Sequence, residues 1–158
     1  MKLADFIAKD AIIAELKSTQ RDDVIREMVE MLADSGAINK PDVEAITKAI
    51  IEREKHGSTG FGKGVAVPHV KAAAVQKRVG AIGRSTVGVD FAALDQAPVY
   101  TVMMLLSPPT NPDGHLQAME SIFKHLQEDN FRRFLRQADT REKIYDLIEE
   151  ADQTSAAR

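Results

Sequence analysis

In the first part of the chain, apolar side chains recur every three or four residues, which is the spacing of one face of an α-helix. Two helices are predicted, one at 22–35 and one at 41–56. Thr19 and Asp22 resemble a capping pair before the first helix, and a glycine follows each helix. The apolar stripes consist of Ile25, Met28 and Leu32 in the first helix and Val43, Ile46 and Ile50 in the second.

Strands are indicated where apolar and β-branched residues run together without helical spacing. The predicted strands are 11–16, 65–67, 78–86 and 99–106. The last of them, Val-Tyr-Thr-Val-Met-Met-Leu-Leu, is nearly all apolar, so we expect a central strand that is covered on both faces. The first run has polar neighbours and is expected near a sheet edge.

The remainder of the chain returns to a helical pattern. A helix capped by Asp113 is predicted at 113–127, then a short helix around Phe131, and a last helix that starts near Asp139. Nothing in 153–158 would keep those residues ordered, so a flexible tail is expected there. Helices that alternate with strands around one apolar strand indicate an α/β fold: a mixed β-sheet flanked by helices on both faces, in a three-layer sandwich. At 158 residues, the whole of 1–158 is expected to form one domain.

Charge and composition narrow the function classes. The net charge is −3, with 21 basic and 24 acidic residues, so a nucleic-acid binder with a basic face is not expected. Cysteine is absent, which excludes disulfides, thiolate zinc sites and cysteine nucleophiles. No apolar run approaches the roughly 20 residues that span a bilayer, and the N-terminus has no signal-peptide pattern. We therefore predict a cytoplasmic protein without membrane insertion.

The stretch from Arg53 to His69 carries the candidate chemistry. It leaves the second helix, crosses a loop with four glycines between Gly57 and Gly64, and ends in Pro68-His69. Such a loop can turn sharply and present backbone N–H groups to an anion, although most glycine-rich turns are only turns. It does not match a P-loop or a dinucleotide fingerprint, because the helix precedes the glycines and the strand follows them.

Two of the four histidines occupy positions where chemistry is expected. His69 follows a proline at the end of a predicted strand, where ligands collect in α/β folds, although a structural histidine is the commoner case. His115 lies in the first turn of a helix, where the dipole keeps the ring neutral and favours a nearby anion. Arg53 either complements the negative end of its helix or serves the function of the site.

The other two histidines suggest no site. His56 ends a helix, and His125 lies on a charged helix flank and is expected in solvent. No two histidines have the spacing of a metal pair, so no metal is predicted. Two neutral imidazoles, an arginine and a positive helix end would suit the transfer of a phosphoryl group to nitrogen.

These residues closely resemble the signature of the enzyme IIA proteins of the fructose, mannitol and nitrogen-regulatory type, from the bacterial phosphoenolpyruvate-dependent phosphotransferase system (PTS). The resemblance covers nearly the whole chain and implies a mixed sheet flanked by helices. Its motifs are Arg53-Glu54, Ser58-Thr59-Gly60-Phe61-Gly62, the run from Gly64 to Pro68-His69, and the later His115-Leu116.

The resemblance implies that His69 accepts a phosphoryl group from an HPr-like phosphocarrier. His69 then passes the group to a cysteine of a IIB partner, or signals to a regulated target by its phosphorylation state. His115 would support the phosphorylated ring, Arg53 would lie close to the phosphoryl group, and the family suggests Nε2 as the phosphorylated atom. The covalent phosphate on His69 is the intermediate, and no separate cofactor is implied. The predicted phosphoryl-site loop consists of Ser58, Thr59, Gly60, Gly62 and Gly64.

Several alternatives stay open. Sugar uptake and nitrogen-type regulation both fit the resemblance. The absence of cysteine and the length leave no room for a fused IIB, HPr or permease, so a free-standing IIA is expected. A regulatory protein-binding module of the same fold without phosphotransfer is one alternative, and the intact Arg53, His69 and His115 argue against it. An unrelated small-anion-binding enzyme is another, and it would lack a recognisable nucleophile–base pair.

Overall fold

Over residues 1–156 a mixed sheet of six strands is surrounded by five α-helices, which confirms the predicted fold class. The computed structural model describes the backbone of 1–156 and the side chains of 1–154. The strands are β1 Ile7–Ile13, β2 Gly60–Gly62, β3 Val65–Ala66, β4 His69–Lys71, β5 Val79–Val89 and β6 Val99–Ser107. The helices are α1 Arg21–Asp34, α2 Val43–Lys55, α3 Pro112–Leu126, α4 Asp129–Gln137 and α5 Arg141–Ala156.

The sheet has the order β1-β5-β6-β3-β2, and β4 also pairs with β6. Strands β5 and β6 are antiparallel, whereas β1 is parallel to β5 and both β3 and β4 are parallel to β6. Strand β6 is therefore interior and β1 forms an edge, as their apolar and polar surroundings in the sequence predict. The long antiparallel pair β5–β6 anchors the sheet, and the shorter strands attach to it.

A break divides the strand that runs along β6 into β3 and β4. Val65 pairs with Thr101 and His69 pairs with Leu105, so the register is the same on both sides of the break. Pro68 lies in the break, where its carbonyl accepts the N–H of Leu105 at 3.0 Å although it has no N–H of its own to donate. The sequence predicts a strand that stops before His69, but in the structure His69 opens β4.

Both faces of the sheet are covered, which completes the three predicted layers. Helices α1 and α2 cover one face, where they pack on Val102 and Met104 of β6. Helices α3, α4 and α5 cover the other face, on Met103 and Leu105. Because successive strand residues point to opposite faces, β6 has to be apolar at almost every position. Among residues 1–156, no helix is both long enough and apolar enough to cross a bilayer.

The starts of α1 and α5 differ from the predicted caps. Helix α1 begins after Gln20, which makes no side-chain capping bond, and Thr19 does not cap it. At α5 the cap is Thr140, whose hydroxyl oxygen accepts the N–H of Lys143 at 3.1 Å, instead of Asp139. In both cases the helix starts one residue later than the predicted cap would allow, so the pattern locates the helix but not its first residue.

The C-terminal helix is longer than predicted. Helix α5 continues to Ala156, so residues 153–156 are helical and not a loose tail, while 157–158 lie outside the described residues. Asp152 gives the physical reason, because its buried carboxylate accepts the N–H of Leu3 at 2.7 Å and of Ala4 at 2.9 Å. These bonds tie the end of the chain to its beginning, a contact that no local pattern reveals.

Candidate active site

The structure brings the two predicted histidines together from distant parts of the chain. His69 opens β4 and His115 lies in the first turn of α3. Their ring centroids are 5.8 Å apart, with 46° between the ring planes. Both elements meet near the carboxyl end of β6, since β4 pairs with its last residues and α3 begins shortly after Ser107. The site thus forms where parallel strands of an α/β sheet end, as the sequence predicts.

A backbone carbonyl fixes the state of the His69 ring. Nδ1 of His69 lies 2.8 Å from the carbonyl oxygen of Val67. A carbonyl can only accept, so the neutral ring carries its proton on Nδ1 and leaves the lone pair on Nε2. Burial lowers the pKa of His69, the charge of Arg53 adds to this, and the hydrogen bond to Val67 opposes it. The half-buried ring is therefore neutral near pH 7, with Nε2 as its nucleophilic atom.

A chain of hydrogen bonds holds Val67 in place from α2. The N–H of Val67 donates to the carbonyl oxygen of Thr59 at 3.0 Å. Thr59 in turn donates its own N–H to the carboxylate of Glu54 at 3.0 Å, and its hydroxyl donates to the same carboxylate. Glu54 is 2% exposed and Thr59 is fully buried, so these bonds are shielded from water. The orientation of His69 thus depends on a buried carboxylate that belongs to another element.

Glu54, and not Arg53, continues the buried stripe of α2. Ile50 and Glu54 are four residues apart and both are buried, which is the spacing that could have revealed Glu54. Arg53 is exposed, and its Nη1 donates to the carbonyl oxygen of Gly57 at 2.9 Å, just beyond the helix end. Its charge also lowers the pKa of His69. The geometry is thus compatible with both roles considered for Arg53.

Part of the predicted phosphoryl-site loop lies beside the histidines. Thr59 is hydrogen-bonded to Val67, two residues before His69. The hydroxyl oxygen of Ser58 accepts the N–H of Gly60 at 3.0 Å, which closes a tight turn. A side chain at Gly60 would place Cβ 2.8 Å from Cβ of Ala93, so only glycine fits there. These residues shape the backbone that leads to the site.

The structure does not place Gly62 and Gly64 beside the histidines. They belong to the β2–β3 hairpin, whose two-residue turn, Lys63-Gly64, has positive φ at both positions, 60° and 76°. Val65, which follows the turn, is four residues from His69 along β6, or about 13 Å. The two glycines therefore form a turn at the far end of this strand. Glycine content alone does not distinguish a tight hairpin turn from an anion-binding loop.

Ser107 contacts the second histidine. Nδ1 of the buried His115 lies 2.7 Å from the hydroxyl oxygen of Ser107, which also accepts Nε–H of Arg78 at 3.1 Å. Because Arg78 occupies a lone pair of this oxygen, the arrangement favours donation of the Ser107 proton to Nδ1, which leaves the ring proton on Nε2. The pKa of His115 is lowered to about 4, mainly by burial and further by electrostatic interaction with His69, Lys71 and Arg78. His115 is therefore a neutral hydrogen-bond donor near pH 7.

Arg78 packs against the start of α3 and forms a hydrogen bond with it. Its Nη2 donates to the carbonyl oxygen of Asn111 at 3.2 Å, and a Cβ at Gly114 would lie 2.6 Å from the guanidinium. Asn111 has a left-handed backbone, φ 63°, and its side chain accepts the N–H of Gly114 at 3.1 Å. Asn111 therefore caps α3 in place of the predicted Asp113, because Pro112 occupies the first helical position.

The sequence pattern does not single out Arg78 or Ser107, and it includes Glu54 only as the neighbour of Arg53 in the family motif. Ser107 carries a weak signal as the first polar residue after the apolar run of β6, at the end of a strand. Arg78 carries none, because its partner Ser107 is 29 residues away in the chain. Pairings at that distance become visible only when the sheet is assembled.

The remaining histidines stand apart from the site. His56 follows the last residue of α2 and is exposed, in agreement with its predicted position at a helix end. His125 is 6% exposed, which corrects the expectation that it lies in solvent. Its ring centroid is 5.7 Å from that of Phe131, because α4 folds back against α3. Within the described residues, no group of three or more metal-ligating side chains is close enough to hold an ion.

The sequence model of one protein family covers most of these elements. It is described as "Phosphoenolpyruvate-dependent sugar phosphotransferase system, EIIA 2" and matches residues 5–151. The chain belongs to this family. Membership accounts for the joint presence of the Pro68-His69 motif and the distant His115 on one mixed sheet, and it confirms the resemblance seen in the sequence.

Two relatives illustrate how EIIA chains differ in context. This EIIA chain is 35% identical over 152 residues to the "PTS system fructose-specific EIIABC component" of Bacillus subtilis, an alignment that covers 96% of this chain and 24% of that protein. It is 35% identical over 125 residues to the "Nitrogen regulatory protein" of Pseudomonas aeruginosa, which covers 78% of this chain and 81% of that protein. The chain thus spans about a quarter of the first relative and most of the second.

A solved structure has the same architecture as this EIIA chain. The crystal structure of Nitrogen Regulatory Protein IIA-Ntr from Neisseria meningitidis superposes with a TM-score of 0.82 at 25% sequence identity. The match covers 92% of this chain and 98% of the other. The mixed sheet with helices on both faces is therefore the fold of an EIIA domain.

Proposed function

We propose that this EIIA chain is a histidine phosphocarrier that accepts a phosphoryl group on Nε2 of His69 from an HPr-like phosphocarrier. It then passes the group to a cysteine thiolate of a IIB partner, or displays its phosphorylation state to a regulated target. The single observation that carries the proposal is the 2.8 Å hydrogen bond from Nδ1 of His69 to the Val67 carbonyl, which leaves the lone pair on Nε2. Membership of the EIIA 2 family supports the same chemistry.

In the transfer, one bond to phosphorus forms and one breaks. The lone pair on Nε2 of His69 forms a bond to phosphorus while the bond from phosphorus to the donor's imidazole nitrogen breaks, and that nitrogen keeps the electron pair. Positive charge develops on the His69 ring as the bond forms. The Val67 carbonyl, which accepts Nδ1–H, stabilises that charge. Onward transfer reverses these steps, with a thiolate in place of the donor nitrogen.

The neighbouring groups suit the charge on the phosphoryl oxygens. Phosphoryl transfer passes through a loose transition state whose charge lies on the equatorial oxygens, so positioned donors are the main requirement. His115, with its ring 5.8 Å from that of His69, would donate Nε2–H to one oxygen. Arg53 has a planar guanidinium that can donate two parallel hydrogen bonds once it leaves the Gly57 carbonyl.

The surroundings of His69 fit a protein partner. The ring is half-buried at the surface and does not lie in a deep cavity, so a second protein can reach it. Leu116, next to His115, is 59% exposed and offers apolar surface at the same place. The B. subtilis relative carries A, B and C components under one name, and the P. aeruginosa relative is named a regulatory protein, so the proposal includes both kinds of acceptor.

The test is phosphorylation with phosphoenolpyruvate, enzyme I and HPr, followed by intact mass. We expect one acid-labile phosphate on the wild type and none on His69→Ala, because the nucleophile is removed. His56→Ala is the matched control, since His56 is an exposed histidine at a helix end, and it should be labelled like the wild type. Full labelling of His69→Ala would refute the assignment.

A further inference from the structure

A cleft with a volume of about 310 Å³ lies at the far end of β3 from His69. It is bounded by the turn between β2 and β3, the first residues of β6 and one side of α4. Four cationic side chains and a single carboxylate, Asp129, line it. The cations are Lys63 from the turn and Arg132, Arg133 and Arg136 from α4. We call this group the basic cleft.

Most of the charge in the basic cleft is not neutralised. Arg132 pairs with Asp129 and donates to the carbonyl oxygen of Leu126. No carboxylate in the part of the chain that the structure describes lies within ion-pair distance of Lys63, Arg133 or Arg136. Like charges three and four residues apart destabilise a helix, yet α4 carries three arginines at such spacings in a protein of net charge −3. A bound anion would relieve this repulsion.

Arg136 is held in position before any ligand arrives. Its guanidinium carbon lies 3.5 Å from the centroid of the Tyr100 ring, a cation–π contact. A Cβ at either Gly64 or Gly88 would lie 3.2 Å from a carbon of the same ring, so the backbone also packs closely against it. Tyr100 therefore serves to orient Arg136, whose guanidinium covers one face of the ring. A fixed guanidinium loses less entropy when it binds an anion.

Thr101 supplies a polar group on the floor of the basic cleft. It is 2% exposed and lies on the same face of β6 as Met103 and Leu105, the face that α4 covers. Its hydroxyl forms no hydrogen bond with any of the described residues and is not sealed away from the cavity. The hydroxyl of a nearly buried residue usually has a protein or water partner. A ligand oxygen in the cleft would provide one.

We propose that the basic cleft binds a small multivalent phosphate anion of the pyrophosphate class. Three cations without carboxylate partners call for more than one negative charge, and tetrahedral oxyanions match the forked donors of arginine. The volume accommodates two linked phosphate groups, and Arg136 covers one face of the Tyr100 ring, which leaves less stacking surface for a nucleobase. The site is separate from the histidines and does not depend on the phosphocarrier chemistry.

Calorimetric titration of the full chain with pyrophosphate at 0.15 M salt tests the proposal. We expect one pyrophosphate per chain with a sub-millimolar dissociation constant, and weaker binding of sulfate. Arg133→Gln and Arg136→Gln should each weaken binding about tenfold or more, the effect of removing a charged hydrogen-bond donor. Thr101→Val, which keeps the shape and removes the hydroxyl, should weaken binding about fivefold. Melting temperatures verify that each variant is folded.

Arg26→Gln is the matched control, because Arg26 is a partly exposed arginine of α1, on the other side of the sheet, and should leave binding unchanged. An equal loss in Arg26→Gln, or sulfate bound as tightly as pyrophosphate, would reduce the effect to general charge attraction and overturn the proposal. Absence of binding would also overturn it. His69→Ala should bind pyrophosphate like the wild type. If His69→Ala alone loses binding, the anion occupies the histidine site, which refutes the basic cleft but not the phosphocarrier.

Discussion

The two imidazoles of the candidate site carry their protons on different nitrogens. In each ring, the neighbour bound to Nδ1 sets the tautomer. The Val67 carbonyl keeps a proton on Nδ1 of His69, while Ser107 and Arg78 favour Nδ1 of His115 as an acceptor. One ring thus offers a lone pair at Nε2 and the other offers an N–H. Because each state is set by a fixed neighbour, the proposed function would find the pair prepared for a phosphoryl group before a donor binds.

Gly114→Ala should separate the function of this arrangement from its stability. The new methyl would lie 2.6 Å from the guanidinium of Arg78 and should displace it from Ser107, whereas alanine is the better helix former. We expect stability to stay level or rise and transfer from His69 to slow about tenfold, as for the loss of one charged hydrogen bond. The measurements are the transfer rate and the ¹⁵N chemical shifts of the His115 ring, which report its tautomer.

Arg78→Gln is the companion variant, because it removes the guanidinium without adding a methyl to α3. Both variants should move the His115 shifts in the same direction. Wild-type shifts and wild-type transfer in both would show that Arg78 does not position His115.

At the residue scale, the sequence is most informative where function depends on a local motif. Pro68-His69 and the helix-start position of His115 are visible in the sequence because proline and helix ends have strong local preferences. Arg78 and Ser107 become partners only through the pairing of β5 with β6, so local patterns cannot predict them. The misplaced Gly62 and Gly64 have a similar cause, since only the backbone geometry shows that they form a hairpin turn.

At the scale of elements, the segment between α2 and β4 behaves as one unit. The Glu54 carboxylate at the end of α2 holds Thr59, Thr59 holds Val67, and Val67 holds His69. Each hydrogen bond joins a different element or turn, so α2 as well as β4 positions His69. The Val67 carbonyl lies between β3 and β4, where it accepts from the imidazole.

Thr59→Val tests this unit. Valine keeps the shape and the N–H but removes the hydroxyl that donates to Glu54, so an oxygen of this buried carboxylate loses a donor. We expect the free energy of unfolding to fall by about 1–3 kcal/mol and phosphorylation of His69 to slow. Urea unfolding and the labelling rate provide the two readouts.

Thr47→Val is the matched control, from the neighbouring stretch of α2. The hydroxyl of Thr47 is buried and has no hydrogen-bond partner within the described residues, so its removal should leave stability level or raise it. Similar losses of stability in the two variants would mean that the Thr59 hydroxyl contributes nothing specific.

At the scale of the whole molecule, the neutral histidines should make folding sensitive to acid. The pKa of His115 is lowered to about 4 in the folded protein, whereas the unfolded chain has the ordinary value of about 6.5. Between these values the unfolded chain binds more protons, so the free energy of unfolding decreases as the pH falls from about 6.5 to 4 and is level above 6.5. His69, whose pKa is also lowered, acts in the same direction.

We expect His115 to account for a loss of at most about 3 kcal/mol between pH 7.5 and 4.5, since each pKa unit corresponds to 1.36 kcal/mol. Urea unfolding at the two pH values measures it, and His115→Gln should show a correspondingly smaller loss. His56→Gln should lose as much as the wild type, because His56 is exposed. Equal losses in the wild type and His115→Gln would contradict the neutral buried state.

In the whole molecule, burial can be predicted from the sequence, whereas the distribution of charge cannot be predicted from the composition. The apolar run of β6 predicts the central strand and both covered faces, because burial on two sides leaves a strong mark on a sequence. The net charge, by contrast, does not indicate where the charged residues lie in the folded protein. A value of −3 argues against a basic face, yet Lys63, Arg133 and Arg136 gather at one cleft, since the β2–β3 turn and α4 meet only in three dimensions.

The hydrogen bond between His69 and Val67 has a consequence for signalling. The proposed phosphorylation at Nε2 would leave Nδ1–H and its carbonyl acceptor untouched, so the ring need not rotate. The phosphorylated and unphosphorylated forms would then have the same backbone conformation and would differ in the charge at His69. A protein that distinguishes the two forms would then have to contact His69 itself.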